Sequence, residues 1–168
     1  MNKKEKVHVI HPFEPCYDEN SRILILGSFP SVKSREMGFY YGHPQNRFWK
    51  VLSMIYECEI GTDIQSRKDF LLTHHLACFD VIFECDITGS SDASIENAVC
   101  TNINKILSES KINKIITNGK TAHRLYQQYM LPITKIVDYC MPSTSSANAA
   151  WSCSELVECY KKELIEII

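Results

Sequence analysis

Apolar residues along this chain follow two rhythms. Short unbroken runs, of which Ile23-Leu24-Ile25-Leu26 is the clearest, are bounded by polar residues and glycine, the mark of strands buried on both faces. Between them lie stretches in which apolar residues recur every three or four positions, the mark of helices with one buried face. The runs predict strands over residues 22–27, 77–82, 112–117 and 132–138, with 7–10 as an edge strand. The recurrent spacing predicts helices over 47–56 (Phe48, Val51, Leu52, Ile55), 64–74 (Phe70, Leu71, His74), 102–108 and 120–129 (Ala122, Leu125, Tyr126, Tyr129). A last helix follows Ser152, with Leu156, Cys159, Tyr160, Leu164 and Ile167 on one face. Thr62 with Gln65, and Ser152 with Glu155, read as capping boxes. Residues 83–92 turn polar and read as a loop, and residues 1–20, broken by Pro12 and Pro15, as an arm packed on the domain rather than a functional unit. Strands alternating with helices imply an α/β fold: three layers, α/β/α, around a four-stranded parallel sheet of order 2-1-3-4, counting those four strands along the chain.

Composition adds bounds to this picture. At 168 residues the chain is the size of one domain, expected to span 1–168, and its 45% hydrophobic and 23% charged content is that of a folded globular protein. A net charge of -2 rules out a globally basic surface, so any polyanion must meet a local patch, for which Lys33, Arg35, Arg47, Lys50 and Arg124 are available. No run approaches the roughly 18–20 apolar residues of a membrane span, and the polar start of the chain leads into no apolar signal core. The expected location is cytoplasmic, with nucleoid association if the source is prokaryotic. Eight cysteines are spread from Cys16 to Cys159 without a C-x-x-C pair, so reduced thiols are expected, with no metal and no cofactor.

The least ordinary stretch is 27–49. The chain leaves its first confident strand through Gly27-Ser28-Phe29-Pro30, and in open α/β sheets ligands sit at that edge. It then gathers Phe39, Tyr40 and Tyr41 against Gly42, followed by His43-Pro44-Gln45-Asn46-Arg47 and the apolar pair Phe48-Trp49, which faces the core. The 88–92 loop and the small-residue loop 139–148 also follow strands, so all three converge on one edge. Together they read as a pocket wall.

Gly27-Ser28-Phe29-Pro30-Ser31, then Tyr40-Tyr41-Gly42-His43-Pro44-Gln45-Asn46-Arg47-Phe48-Trp49, and later Met141-Pro142-Ser143-Thr144-Ser145-Ser146-Ala147, resemble the motifs of the uracil-DNA glycosylase superfamily, and within it the sixth family, the hypoxanthine-DNA (DNA-deoxyinosine) glycosylases. The resemblance covers nearly the whole chain. It implies a monomeric base-excision repair enzyme that flips a deaminated base out of duplex or single-stranded DNA and hydrolyses its N-glycosidic bond without a metal. Many members carry Asn or Asp in the first motif to position water; this chain has Phe29, which cannot polarise water. Gly27, Ser28 and Phe29 are then left to line the base site through their backbone. An Asn implicated in the hypoxanthine family matches Asn46.

Breaking an N-glycosidic bond builds positive charge on the sugar and negative charge on the departing base. Asn46 could accept from water while donating to sugar or base, or it could simply cap the helix that follows. Tyr41 offers a flat surface for a flipped base, matching the position where relatives stack an aromatic, or it is a core aromatic. His43 could protonate or hydrogen-bond a leaving purine, or it is a structural hydrogen-bonder. Pro142, Ser143, Thr144 and Ser145 match the motif that enters the minor groove and grips phosphates, or they form a plain Ser-rich turn. Lys120 opens a helix after a strand, where an anion is favoured, an arrangement common in α/β proteins. Apart from Lys33 the two motifs hold no lysine, so no Schiff-base step is expected. A uracil or thymine-mismatch glycosylase, a DNA-lesion binding module without catalysis, and a small-molecule nucleoside hydrolase remain open alternatives.

Overall fold

A computed structural model of the chain describes residues 4–165, so Ile167 of the expected last-helix face and the first three residues of the arm lie outside the described residues. In chain order the strands are β1 (Lys6–Ile10), β2 (Ile23–Gly27), β3 (Leu76–Asp80), β4 (Ile82–Thr88), β5 (Glu96–Cys100), β6 (Lys114–Asn118) and β7 (Tyr139–Met141). The helices are α1 (Val32–Met37), α2 (Phe48–Tyr56), α3 (Ile64–Thr73), α4 (Ile103–Ser108), α5 (Lys120–Tyr129), α6 (Leu131–Thr134) and α7 (Cys153–Ile165). No described helix is long and apolar enough to cross a membrane, and none of the eight cysteines is paired.

The centre is a parallel sheet of order β3-β2-β6-β7, flanked by helices in an α/β/α arrangement. This is the expected order 2-1-3-4. β2, the sequence ILILG, is buried along its whole length, as a central parallel strand must be. Its register sets Gly27 opposite Asp80 and Leu26 opposite Thr117, so the strand ends, with Asn118 one residue beyond, form one edge. α2 buries Phe48, Trp49, Val51, Leu52 and Ile55 and packs on α7. The expected box at Ser152 forms: Glu155 N–H donates to Ser152 Oγ at 3.2 Å and Ser152 N–H to Glu155 Oε2 at 2.7 Å. The one expected at Thr62 does not, because Asp63 takes the Ser66 N–H at 2.8 Å instead.

Three sequence expectations are corrected. The fourth strand is not 132–138: Pro132 fits the first turn of α6, which Lys135 ends with φ 59°, and pairing begins only at Tyr139. The β-branched run that suggested a strand lies at the surface, with Ile133 63% and Val137 68% exposed. Residues 83–92 are mostly strand β4, not loop. It pairs antiparallel with β1 and β5 in a second sheet of order β1-β4-β5, burying Cys85 and Ile87 while Glu84 and Asp86 bond His8 on the other face. The 27–49 stretch also contains α1, which the periodicity did not reveal; Ser31 Oγ accepts the Ser34 N–H and Gly38, at φ 82°, closes it.

Buried Asp138, just before β7, accepts from Thr117 Oγ1 (2.6 Å), His123 Nδ1 (2.7 Å) and Gln127 Nε2 (2.7 Å). This ties β6 and α5 to the segment that delivers the 142–146 loop to the sheet edge.

Candidate active site

Where β2 and β3 end, a Cβ on Gly27 would stand 2.5 Å from Asp80 Oδ1 and 3.4 Å from Tyr41 Oη. The missing side chain therefore lets a carboxylate and a phenol face the same small space. Asp80 is 5% exposed, and its Oδ2 accepts from the fully buried Nε2 of His11 at 2.7 Å. His11 follows β1, so the arm expected to be inert packing reaches the floor of the cavity. Tyr41 Oη is buried without a hydrogen-bond partner among the described residues. Burial pushes this phenol's pKa well up, which keeps the O–H as a donor.

One wall is built from residues 41–46 and the 143–146 loop. Tyr41 holds φ 51°, a left-handed conformation costly for an aromatic residue, and Gly42 N–H anchors it by donating to Ser34 Oγ at 2.9 Å. One face of the Tyr41 ring stacks on Phe48 (centroids 3.9 Å, planes 24° apart), and the rest of the side chain lines the cavity.

Asn46 Oδ1 accepts twice, from Phe48 N–H at 3.0 Å and from Thr144 Oγ1 at 2.9 Å. The carbonyl oxygen is thus spent on starting α2 and joining the two loops, and cannot also accept from water as expected; only the amide nitrogen remains to donate. Thr144, expected to meet phosphate, is instead 0% exposed. Its hydroxyl accepts from Asn118 Nδ2 at 3.0 Å and its N–H donates to Asn118 Oδ1 at 3.0 Å, so it holds the wall together.

Arg47 leaves the positive patch for a similar reason. Its guanidinium donates to the carbonyls of Ser145 (3.0 Å), Asn148 (3.1 Å), Thr144 (3.4 Å) and Trp151.

The opposite wall joins the 27–31 loop to residues 88–94. Phe29 is buried, its ring 5.7 Å from the Arg35 guanidinium carbon. Ser28 Oγ donates to Asp92 Oδ1 at 2.9 Å, Val32 N–H to Ser90 Oγ at 2.9 Å, and Arg35 to the carbonyls of Pro30 (3.1 Å) and Gly89 (3.2 Å). Partial desolvation in the cleft raises the Asp92 pKa, Asp80 adding to the rise while the Ser28 hydroxyl and Arg124 oppose it.

The walls enclose about 290 Å³. Of the sequence-derived candidates, Gly27, Ser28, Phe29, Tyr41, His43, Asn46, Ser143, Thr144 and Ser145 line this cavity; Pro142 and Lys120 do not. The Pro142 carbonyl accepts from Tyr160 Oη at 2.9 Å, and Lys120 is exposed at the start of α5. His43 is exposed at the rim, its Nδ1 accepting from Gln45 N–H at 3.1 Å. Asp80, Asn118 and, behind them, His11 lie outside the expectations drawn from the sequence, whereas Asp92 ends the 88–92 loop expected at this edge. Asp80 and Asn118 each close an apolar strand run, and a polar residue at the carboxyl end of a buried strand is the signal that could have found them.

A parallel α/β sheet carrying an amide, a carboxylate and a stacked aromatic in a small cleft at its carboxyl edge has the layout in which α/β folds bind small ligands. The chain belongs to the uracil DNA glycosylase superfamily, which it matches over residues 14–164. It is 31% identical over 149 residues to the hypoxanthine DNA glycosylase of Methanosarcina acetivorans, an alignment covering 83% of this chain and 89% of that protein. It is 39% identical over 90 residues to the hypoxanthine DNA glycosylase of Methanosarcina barkeri, but there the match spans 54% of that protein and 51% of this chain. The fold is similar to the solution NMR structure of a candidate uracil DNA glycosylase from Methanosarcina acetivorans (TM-score 0.73, 26% identity, covering 95% of this chain and 97% of the other).

Proposed function

We propose that this chain is a monofunctional DNA N-glycosylase that draws a deaminated base, hypoxanthine foremost, out of the strand and hydrolyses its bond to deoxyribose. The observation that carries this reading is the pairing, in one cavity of a uracil DNA glycosylase superfamily member, of an Asn46 amide nitrogen without a partner among the described residues and a floor of Asp80 carboxylate and Tyr41 hydroxyl.

The floor offers an acceptor beside a donor. Hypoxanthine presents the complement, an N1–H beside a carbonyl oxygen, whereas adenine presents a ring acceptor beside an amino group. Sites that bond a polar edge in this way reject its reversed pattern strongly, because the wrong base leaves buried groups unpaired. Uracil, thymine and guanine carry the same N–H and C=O pair, so this floor distinguishes hypoxanthine from adenine alone.

With its oxygen occupied, Asn46 acts as a donor, its amide N–H groups holding charge on the departing base or orienting water. Tyr41, with one ring face covered by Phe48 and its hydroxyl at the floor, serves this reading as a donor to the base edge rather than as a stacking surface. Ser143 and Ser145 each accept a backbone N–H, leaving their hydroxyl hydrogens for phosphate, and exposed Lys120 and Arg124 on α5 add positive charge. No lysine lines the cavity among the described residues, which supports hydrolysis without a Schiff base. Buried Phe29 favours one further reading, a lesion-binding module without catalysis.

Single-turnover base release from duplexes carrying inosine, uracil or a thymine mismatch, and from single-stranded inosine DNA, tests the proposal. We expect hypoxanthine release, lowered by Asn46→Ala roughly 10²–10³-fold, with a stability loss of about 2–3 kcal/mol from the weakened helix start and the unpaired Thr144 hydroxyl. Full inosine excision by this variant removes Asn46 from the chemistry. Binding of inosine DNA without release supports the lesion-binding reading, and release from free deoxyinosine without DNA affinity supports a nucleoside hydrolase.

A further inference from the structure

Phe29 leaves the 27–31 loop with no group that can take a proton from water, and Asn46, an amide whose oxygen already accepts two hydrogen bonds, is no base. Two carboxylates line the cavity, Asp80 and Asp92. They are placed very differently. Asp80 is sealed into the floor with one oxygen on His11. Asp92 opens the short 3-10 turn Asp92–Ser94 and stays open to solvent inside the cleft; Oδ1 accepts from Ser28 at 2.9 Å, and Oδ2 has no partner among the described residues.

Its turn is fixed rather than loose. Ser90 Oγ accepts Val32 N–H (2.9 Å), Arg35 holds the Gly89 carbonyl (3.2 Å), and Ser94 Oγ accepts Thr88 N–H (2.8 Å) and donates to the Ser91 carbonyl (2.6 Å). A carboxylate with one oxygen oriented, the other free, water at hand and a rigid mount has what a general base requires.

We infer that Asp92 is the general base that activates the hydrolytic water, an inference that rests on the DNA glycosylase reading of the site. As the C1′–N bond breaks, its electron pair leaves with the base. The water oxygen bonds C1′ and its proton passes to Asp92 Oδ2. The base anion then takes up one proton, from Asp92 or from solvent, giving free base and an abasic sugar. The Asp92 charge also offsets the positive charge that the sugar acquires. Asp80 on β3 and Arg124 on α5 face Asp92 with opposite effects on its ionisation, His43 lines the same cleft, and partial desolvation leaves the Asp92 pKa raised. The excision rate should therefore rise with pH as Asp92 ionises.

Asp92→Asn keeps an acceptor for Ser28 and hence the tether, but cannot take a proton. For inosine duplex we expect its single-turnover rate to fall about a hundredfold or more, with the Kd unchanged within about threefold and the acid limb of the pH–rate profile lost. Asp92→Glu should recover part of the rate. A rate for Asp92→Asn within about threefold of the parent, or a rate loss matched by weaker binding, overturns the assignment while the glycosylase reading stands. A parent protein that releases no base from inosine, uracil or mismatch duplexes overturns both.

Discussion

The two walls of the cleft use the same kinds of polar residue to opposite ends. In the wall of residues 41–46 and 143–146, hydrogen bonds run inward: Asn118 to Thr144, Thr144 to Asn46, and Arg47 to the loop's carbonyls. Oxygens are consumed and N–H groups are left over. In the wall of residues 27–31 and 88–94 the ties come from Ser28, Ser90 and Arg35, and one Asp92 oxygen has no partner among the described residues. One wall presents donors and the other an acceptor carrying charge. Cleaving an N-glycosidic bond separates negative charge on the base from positive charge on the sugar, and a cleft polarised in this way suits that separation. The contrast also shows how rigidity and reactivity are divided: the saturated wall stabilises the fold, and the unsaturated wall holds a group the fold would be easier without.

Removing the staple should have the largest effect on this contrast. Arg47→Ala strands carbonyls that now share one guanidinium, and we expect a loss of about 3 kcal/mol in denaturant unfolding and, under conditions where the variant is folded, loss of base release. Arg47→Lys should restore little, because an ammonium cannot reproduce the planar fork. Parent-like stability of Arg47→Ala would show that the wall is held by other means.

Gly27→Ala should come next. Its Cβ would meet Asp80 Oδ1 at 2.5 Å, and yielding means turning the carboxylate away from His11. A destabilisation of roughly 1–3 kcal/mol follows from overpacking, with a weaker preference for inosine over adenine in the same duplex position; an unchanged preference would separate Asp80 from base reading.

The smallest effect concerns Asp92 and has the opposite sign. The cleft raises its pKa, so the folded chain binds the Asp92 proton more tightly than the unfolded chain does. Ionised Asp92 therefore disfavours the fold at neutral pH, and this burden lifts as pH falls through its folded pKa. Asp92→Asn should melt higher than the parent at neutral pH, with the gain shrinking as the buffer approaches the ordinary carboxylate value of 3.8. Thermal melts of the two proteins across that range decide it; a constant difference would remove the cleft as its cause.

Much of this frame was legible before any coordinates. Buried runs marked β2, β3 and β6 and their order, and apolar periodicity gave α2, α3, α4 and α5 nearly to the residue. Legibility failed where local signals conflict with what they pack against. The β-branched residues of 132–138 read as a strand, but Pro132 starts a helical turn. Glu84 and Asp86 made β4 read as a loop because their partner, His8, lies 76 and 78 residues away.

The sequence by itself determined that a pocket stands at the carboxyl edge of a parallel sheet, and which stretch forms most of its wall. Those properties depend on local composition: a buried run, a glycine exit, then aromatics and amides. Only the tertiary structure decided which of the polar groups remain available. Asn46 loses its oxygen partly to a residue 98 positions away, Asp80 gains His11 across 69, and Ser28 meets Asp92 across 64. Hydrogen-bond satisfaction is a property of neighbours in space, and no spacing along the chain records it.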